Sequence, residues 1–242
     1  MKKFICVVLV AASVLTLAGC ANIVQAIALT PMPSPTPTAM PTPTPTAIPT
    51  PTATPEPNVQ NFVVGTNDDQ GYHSDFFRFG FHVPRGYEVD DREYINKQND
   101  IDSLLTDPET IRKALIIQLK QQITLFDFIS YSPDYTGYLM VFVRDHSSPG
   151  ETFDSEGELL EYLEQFYYTP DNVERKENLV KTTADLGGKE RPVYRYDVTL
   201  NDEKMNGMMF VIKRGTTFAA VQMSAMTEDE LNYVLDSFYS LD

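Results

Sequence analysis

Tryptophan is absent from the 242 residues, cysteine occurs twice and histidine three times, and no charged side chain lies between Lys3 and Glu56. Each scarcity narrows the function. Without an indole, carbohydrate stacking loses its favoured platform, although 13 tyrosines keep that class open. Both cysteines, Cys6 and Cys20, stand near the start of the chain, so everything after Cys20 forms no disulfide and offers no thiolate nucleophile or metal ligand. His73, His82 and His146 are too scattered for a metal-binding spacing. The Gly-x-Ser-x-Gly elbow, His-Glu-x-x-His, the phosphate-binding glycine loop and the dinucleotide fingerprint are missing. The common hydrolase classes are therefore unsupported. Basic residues are also scarce: from Asn58 onward 17 Lys and Arg face 33 Asp and Glu, a net charge of −16. That field repels nucleic acid and anionic headgroups and favours cationic partners or simple solubility.

The start of the chain is what remains after these exclusions. Lys2 and Lys3 precede an apolar run from Phe4 to Leu15 and the small-residue segment Leu17-Ala18-Gly19-Cys20, the order of a secretory signal. Its last four residues resemble the lipobox of bacterial lipoproteins. That resemblance implies cleavage between Gly19 and Cys20, with a diacylglycerol on the Cys20 thiol. The expected location is the bacterial cell membrane, lipid-anchored and facing the extracytoplasmic side. An uncleaved anchor over Phe4 to Leu29 is the competing reading, since such a run is long enough to span a ~30 Å hydrocarbon core. Asn22 and Gln25 interrupt its second half.

From Pro31 to Pro57 the chain is dominated by proline and threonine, mostly as Pro-Thr repeats. Such a segment adopts extended polyproline II at ~3.1 Å per residue and reaches roughly 80 Å. The organisation expected is a signal peptide over 1–19, a lipidated Cys20 with a Pro/Thr stalk to 57, and one globular domain over 58–242 with its ordered core from about Asp75. The size suits a single domain.

Within that domain, Phe77, Phe79, Phe81 and Val83 alternate with other residues, the period of a half-buried strand. Asp107-Pro108 caps and opens a helix carrying Ile111, Leu115, Ile116 and Leu119. A weaker helix is expected between Glu93 and Leu105. Leu125 to Tyr131 and Tyr138 to Asp145 read as a hairpin, and Ser155 with Glu158 as a capping box before Leu159, Leu160, Leu163, Phe166 and Tyr167. Four strands follow between Val173 and Ala225, turning at Gly187-Gly188, Asn201 to Lys204 and Arg214-Gly215. Thr227 and Glu230 cap a last helix with Leu231, Val234, Leu235 and Phe238 on one face. Apolar residues fall on both parities in Met208 to Ile212 and Phe218 to Met223, as in strands covered on both sides. The fold class expected is α+β: an antiparallel sheet of about six to seven strands with helices packed on both faces.

Phe79-Gly80-Phe81-His82-Val83-Pro84-Arg85-Gly86-Tyr87 resembles the opening segment of the PsbP-like superfamily, with Tyr87 where tryptophan is usual. The order of elements over residues 76–242 is similar to that family's, which implies an α/β/α sandwich. The family shares no catalytic site, so the resemblance supplies no site residue.

Local candidates for chemistry are few. Asp145-His146-Ser147 has the residue types of a nucleophile and its base, but neighbours at a strand end point apart. Asn67-Asp68-Asp69-Gln70-Gly71 fails the calcium-loop pattern, because Thr66, Gln70 and Phe77 occupy three ligand positions. Phe166-Tyr167-Tyr168 reads as core packing with Tyr168 outermost. No catalytic residue, metal ligand or cofactor is assigned. The expected role is a non-enzymatic interaction or accessory module with an envelope protein partner. The alternatives are a solute-binding lipoprotein of a transporter or a cell-wall or peptide hydrolase.

Because acylation requires a thiol, Cys20→Ala should abolish both incorporation of a fatty-acid probe and cleavage after Gly19. Undiminished label in that variant would remove the lipoprotein reading.

Overall fold

Alternating and doubly apolar strands determine the main layer of this computed structural model, which describes residues 58–147, 152–167, 175–200 and 203–241. Nothing is described of the side chains of residues 166, 167, 175, 176 and 200. Gly19, Cys20, the stalk and Tyr168 lie outside the described residues.

The strands are β1 (Thr66–Asp68), β2 (Gly71–Ser74), β3 (Phe79–His82), β4 (Glu88–Val89), β5 (Leu125–Tyr131), β6 (Tyr138–Asp145), β7 (Arg175–Asp185), β8 (Glu190–Leu200), β9 (Glu203–Arg214), β10 (Thr217–Ala225) and β11 (Tyr239–Ser240). The helices are α1 (Arg92–Gln98), α2 (Pro108–Lys120), α3 (Glu156–Tyr167) and α4 (Glu228–Ser237). Seven strands form one antiparallel sheet in the order β4-β5-β6-β10-β9-β8-β7. On one face Met208, Phe210 and Ile212 of β9 meet Leu115 and Leu119 of α2 and Leu231 and Val234 of α4 in a single core. On the other, Met209 and Val211 pack with Leu159, Leu160 and Leu163 of α3. Helices thus cover both faces of a seven-stranded antiparallel sheet, the α+β class expected.

The sequence reading missed a second sheet, β1-β2-β3-β11, which shares the first core with α2 and α4. Packing starts at Val59 rather than near Asp75: Phe62 is 1% exposed and Tyr72 2%. The polar cluster Asn67 to Gly71 disguises this segment, because it forms the turn of the β1–β2 hairpin. The Asp68 carboxylate accepts from the backbone N–H groups of Gln70 (2.8 Å) and Gly71 (3.0 Å). Phe62 follows a 3-10 turn over Val59–Asn61. At the other end of the small sheet Tyr239 pairs with Gly80. A Cβ on Gly80 would lie 2.3 Å from the Tyr239 ring, so glycine is required for β11 to close on β3.

Tyr72 joins the two sheets. Its ring lies 5.5 Å from Phe81 of the small sheet and 5.5 Å from Phe128 of the large one. Its hydroxyl donates to Oδ2 of Asp127 at 2.6 Å. Asp127, 1% exposed, is the extra residue of a bulge in β5, where Phe126 pairs with Phe142 and Phe128 with Val141. A bulge re-aims the inserted side chain. Here the carboxylate also accepts from Gly65 N–H (3.1 and 3.0 Å) and from the Arg92 guanidinium (3.1 Å).

The remaining helices follow their caps. Asp107 accepts from Thr110 N–H with Pro108 opening α2, and Thr227 with Glu230 forms the complete capping box of α4. At α3 only half the box forms: Ser155 Oγ accepts from Glu158 N–H (3.2 Å), while the Glu158 carboxylate bonds Asp154 N–H (2.8 Å). Helix α1 ends at Gln98 and not near Leu105. Asn99 leaves the helix to bond the backbone of Phe126, donating to its carbonyl (2.7 Å) and accepting from its N–H (2.8 Å).

Burial and the Asp127 charge hold the Tyr72 phenol well above its ordinary pKa of 10.0. A raised folded pKa stabilises fully below the unfolded value, and that contribution is lost as pH rises above about 10. Tyr72→Phe should lower the melting temperature by roughly 4–8 °C at neutral pH, the loss of about 2 kcal/mol from a bond to a charged acceptor. It should also flatten the alkaline limb of the stability profile. Asp127→Ala leaves Arg92, Tyr72 and Gly65 without their acceptor and should cost about 3 kcal/mol or more. Thermal denaturation from pH 7 to 11 measures all three effects.

Candidate interaction surface on helices α1 and α2

The residues that sequence chemistry singled out do not converge. Asp145 is fully buried and accepts from the hydroxyls of Ser147 (2.6 Å), Thr216 (2.7 Å) and Thr217 (3.4 Å). His146 stands apart from that contact, stacked on Phe218 at 5.0 Å and edge-on to Phe153 and Tyr162. Serine and aspartate touch each other directly with no imidazole between them, so the triplet clamps a strand end rather than forming a proton relay. A cavity of about 350 Å³ opens beside His146, with Lys213, Thr152 and Phe153 in its wall.

His73 and His82 both approach the Tyr239 ring, at 6.4 and 6.0 Å between centroids. The Tyr239 phenol is pushed up by burial and by Asp68. Among the described residues no group of three or more His, Cys, Asp or Glu side chains is placed to hold a metal ion.

A different surface gathers exposed apolar residues. Helix α1 is pinned at both ends to the β5 bulge, at Arg92 through Asp127 and at Asn99 through Phe126. Helix α2 sits on the sheet through Leu115, Ile116 and Leu119. Between them run two adjoining grooves of about 440 and 420 Å³, which share Asn96 and Ile111 in their walls. Leu105, Glu93 and Asp102 complete one groove, and Val63, Val64 and Leu115 the other. Leu104, next to Leu105 of the first groove, is 83% exposed; Val63 is 48% exposed. Large apolar side chains clustered on a polar rim mark interaction sites more than single exposed ones do.

Both arginines at this surface already have internal partners. Arg92 serves Asp127 and the Gly65 carbonyl (2.6 Å), and Arg112 bonds the Glu109 carboxylate at 2.9 Å. Its guanidinium holds the Glu109 carboxyl below the usual range. Oδ1 of Asn96 is buried where the grooves meet and has no hydrogen-bond donor, a cost of about 1–3 kcal/mol. Sequence reading missed this site because its residues come from three separated segments. The visible trace was the Leu104-Leu105 pair inside the otherwise polar run 102–107.

No family model and no curated protein matches the chain. Among solved structures it is similar to the cyanobacterial PsbP protein CyanoP from Synechocystis sp. PCC 6803, at 13% identity and a TM-score of 0.41, over 71% of this chain and 91% of that one. It is also similar to LpqN, involved in cell envelope biogenesis of Mycobacterium tuberculosis (8% identity, TM-score 0.36, 66% and 82% covered). A third is a protein from Bacteroides thetaiotaomicron VPI-5482 (10% identity, TM-score 0.35, 67% and 45% covered). Likenesses this distant say nothing of activity or partner.

Replacing the unsatisfied amide by an apolar side chain of similar size removes its desolvation cost. Asn96→Leu should therefore raise the melting temperature by a few degrees; a fall would show that the amide has a structural role.

Proposed function

We propose that this protein is an extracytoplasmic lipoprotein, anchored to the bacterial membrane through Cys20, whose folded domain is a non-enzymatic interaction module for an envelope protein partner. The α1–α2 surface carries this reading. Its exposed Val63 lines one groove and Leu105, next in sequence to the exposed Leu104, lines the other, and a rigid apolar surface of this kind loses little entropy on association. The basic and apolar start of the chain, Gly19-Cys20 and the Pro/Thr stretch support the anchor and a stalk that holds the domain clear of the membrane. The cavity beside His146 is where the solute-binding alternative would act, and a small solute that raised the melting temperature by mass action would favour it.

A photoreactive benzophenone side chain introduced at position 104 of the intact lipoprotein on cells tests the surface directly. Position 233, occupied by the half-exposed Tyr233 of α4, is the control. The expected result is a defined protein adduct at position 104 that is absent at 233. No adduct at 104, or the same adducts at both positions, would overturn the role assigned to this surface.

A further inference from the structure

We infer that the segment received by the α1–α2 grooves is a basic amphipathic helix, an inference that rests on this surface being the interaction site. An apolar floor between two helices accepts the apolar stripe of a third. Val64, Leu105 and Ile111 supply that floor. Charge at the rim selects the sign of the partner. Arg92 and Arg112 are committed to internal acceptors, whereas Glu93 and Asp102 line the groove with no cationic partner among the described residues, Asp102 accepting from the Leu104 N–H at 2.9 Å. Lys97 is the one basic side chain at that rim with no internal partner among the described residues. Beyond the rim, the −16 net charge from Asn58 onward accelerates encounter with a cationic segment and rejects an acidic one. The same field opposes docking of this surface on anionic lipid.

The lack of other thiols in the domain makes a sensitive probe simple to install. Full-length lipoprotein carrying Leu104→Cys, labelled with an environment-sensitive fluorophore and held in phosphatidylcholine nanodiscs, is titrated with a synthetic peptide of about five helical turns. Leucines at i, i+3, i+4 and i+7 give the peptide its stripe, with lysine elsewhere; a second peptide has glutamate in place of lysine. The lysine peptide should produce a saturable blue shift and the glutamate peptide none. Glu93→Lys/Asp102→Lys should weaken binding at least about fivefold, as should Val63→Ser, within the range for loss of central contacts. Glu203→Lys/Asp236→Lys, the same charge change on β9 and α4, should weaken it much less.

Equal weakening by the β9 and α4 pair would reduce the effect to general attraction and overturn the inference. So would equal binding of the glutamate peptide, or a blue shift before any peptide is added, which would place the surface on lipid. If position 104 captures a defined protein while the lysine peptide fails to bind, the interaction surface stands and its basic-helix partner falls. Failure of both removes both.

Discussion

One inserted residue in β5 sets the relation between the layers. With Phe126 paired to Phe142 and Phe128 to Val141, Asp127 leaves the ladder and turns a carboxylate into the space between the two sheets. A carboxylate 1% exposed must be met by donors, since an unpaired buried charge is costly enough to unfold a marginal domain. Gly65, Tyr72 and Arg92 supply those donors. The segment before β3 is thereby fastened to the large sheet, and the Tyr72 ring fills the space among Phe79, Phe81 and Phe128. Hydrogen bonding sets the register here, and aromatic burial supplies most of the energy.

The same bulge organises the surface. Arg92 begins α1 and Asn99 ends it, and both bind β5 at the inserted residue or beside it. Gln118 of α2 donates to the Asn99 carbonyl at 2.8 Å, so the second helix is tied to the same point. Grooves between two helices fixed in this way keep their shape without a ligand. That is the physical basis for assigning recognition to α1 and α2, rather than to the long edge strand β7. There Asn178 at φ 55° lies beside a register shift, an irregularity that discourages strand addition.

Acidity and stability are also reconciled locally. Many carboxylates are used as caps and turn acceptors: Asp107 at α2, Asp68 in the β1–β2 turn, Asp134 in the β5–β6 loop. Hydroxyl and N–H donors from Ser132 and Thr136 hold the Asp134 carboxyl down at about 2. Charges anchored in this way cost less than free ones. At the α1–α2 rim Asp102 is held in the same way by the Leu104 N–H (2.9 Å), and Glu93 is the acid left with no hydrogen-bond or ion-pair partner among the described residues.

Elements whose pattern is local were legible. Leu125 to Tyr131, Tyr138 to Asp145 and the Asp107-Pro108 helix start appear in the structure with the boundaries their residues imply. The double parity of Met208 to Ile212 anticipated a sheet covered on both faces. What escaped was set at a distance. Asn99 ends α1 because the backbone of Phe126, on a separate element, needs a partner, and Gly65 to Ser74 is ordered because Asp127 receives it. Short polar strands such as Thr66–Asp68 carry no period of their own, and pairing alone defines them.

The chain by itself determined its class, the strands and helices with a period or cap of their own, its acidity and the composition of the segment before Asn58, because composition, capping and hydrophobic period act over a few neighbouring positions. Tertiary structure alone decided that Asp127 would be an internal acceptor, that His146 would be packed among aromatic rings, and that Val63, Asn96, Leu105 and Ile111 would share one surface. Those outcomes depend on which distant backbone groups and side chains meet once two sheets pack, and no local pattern encodes that meeting.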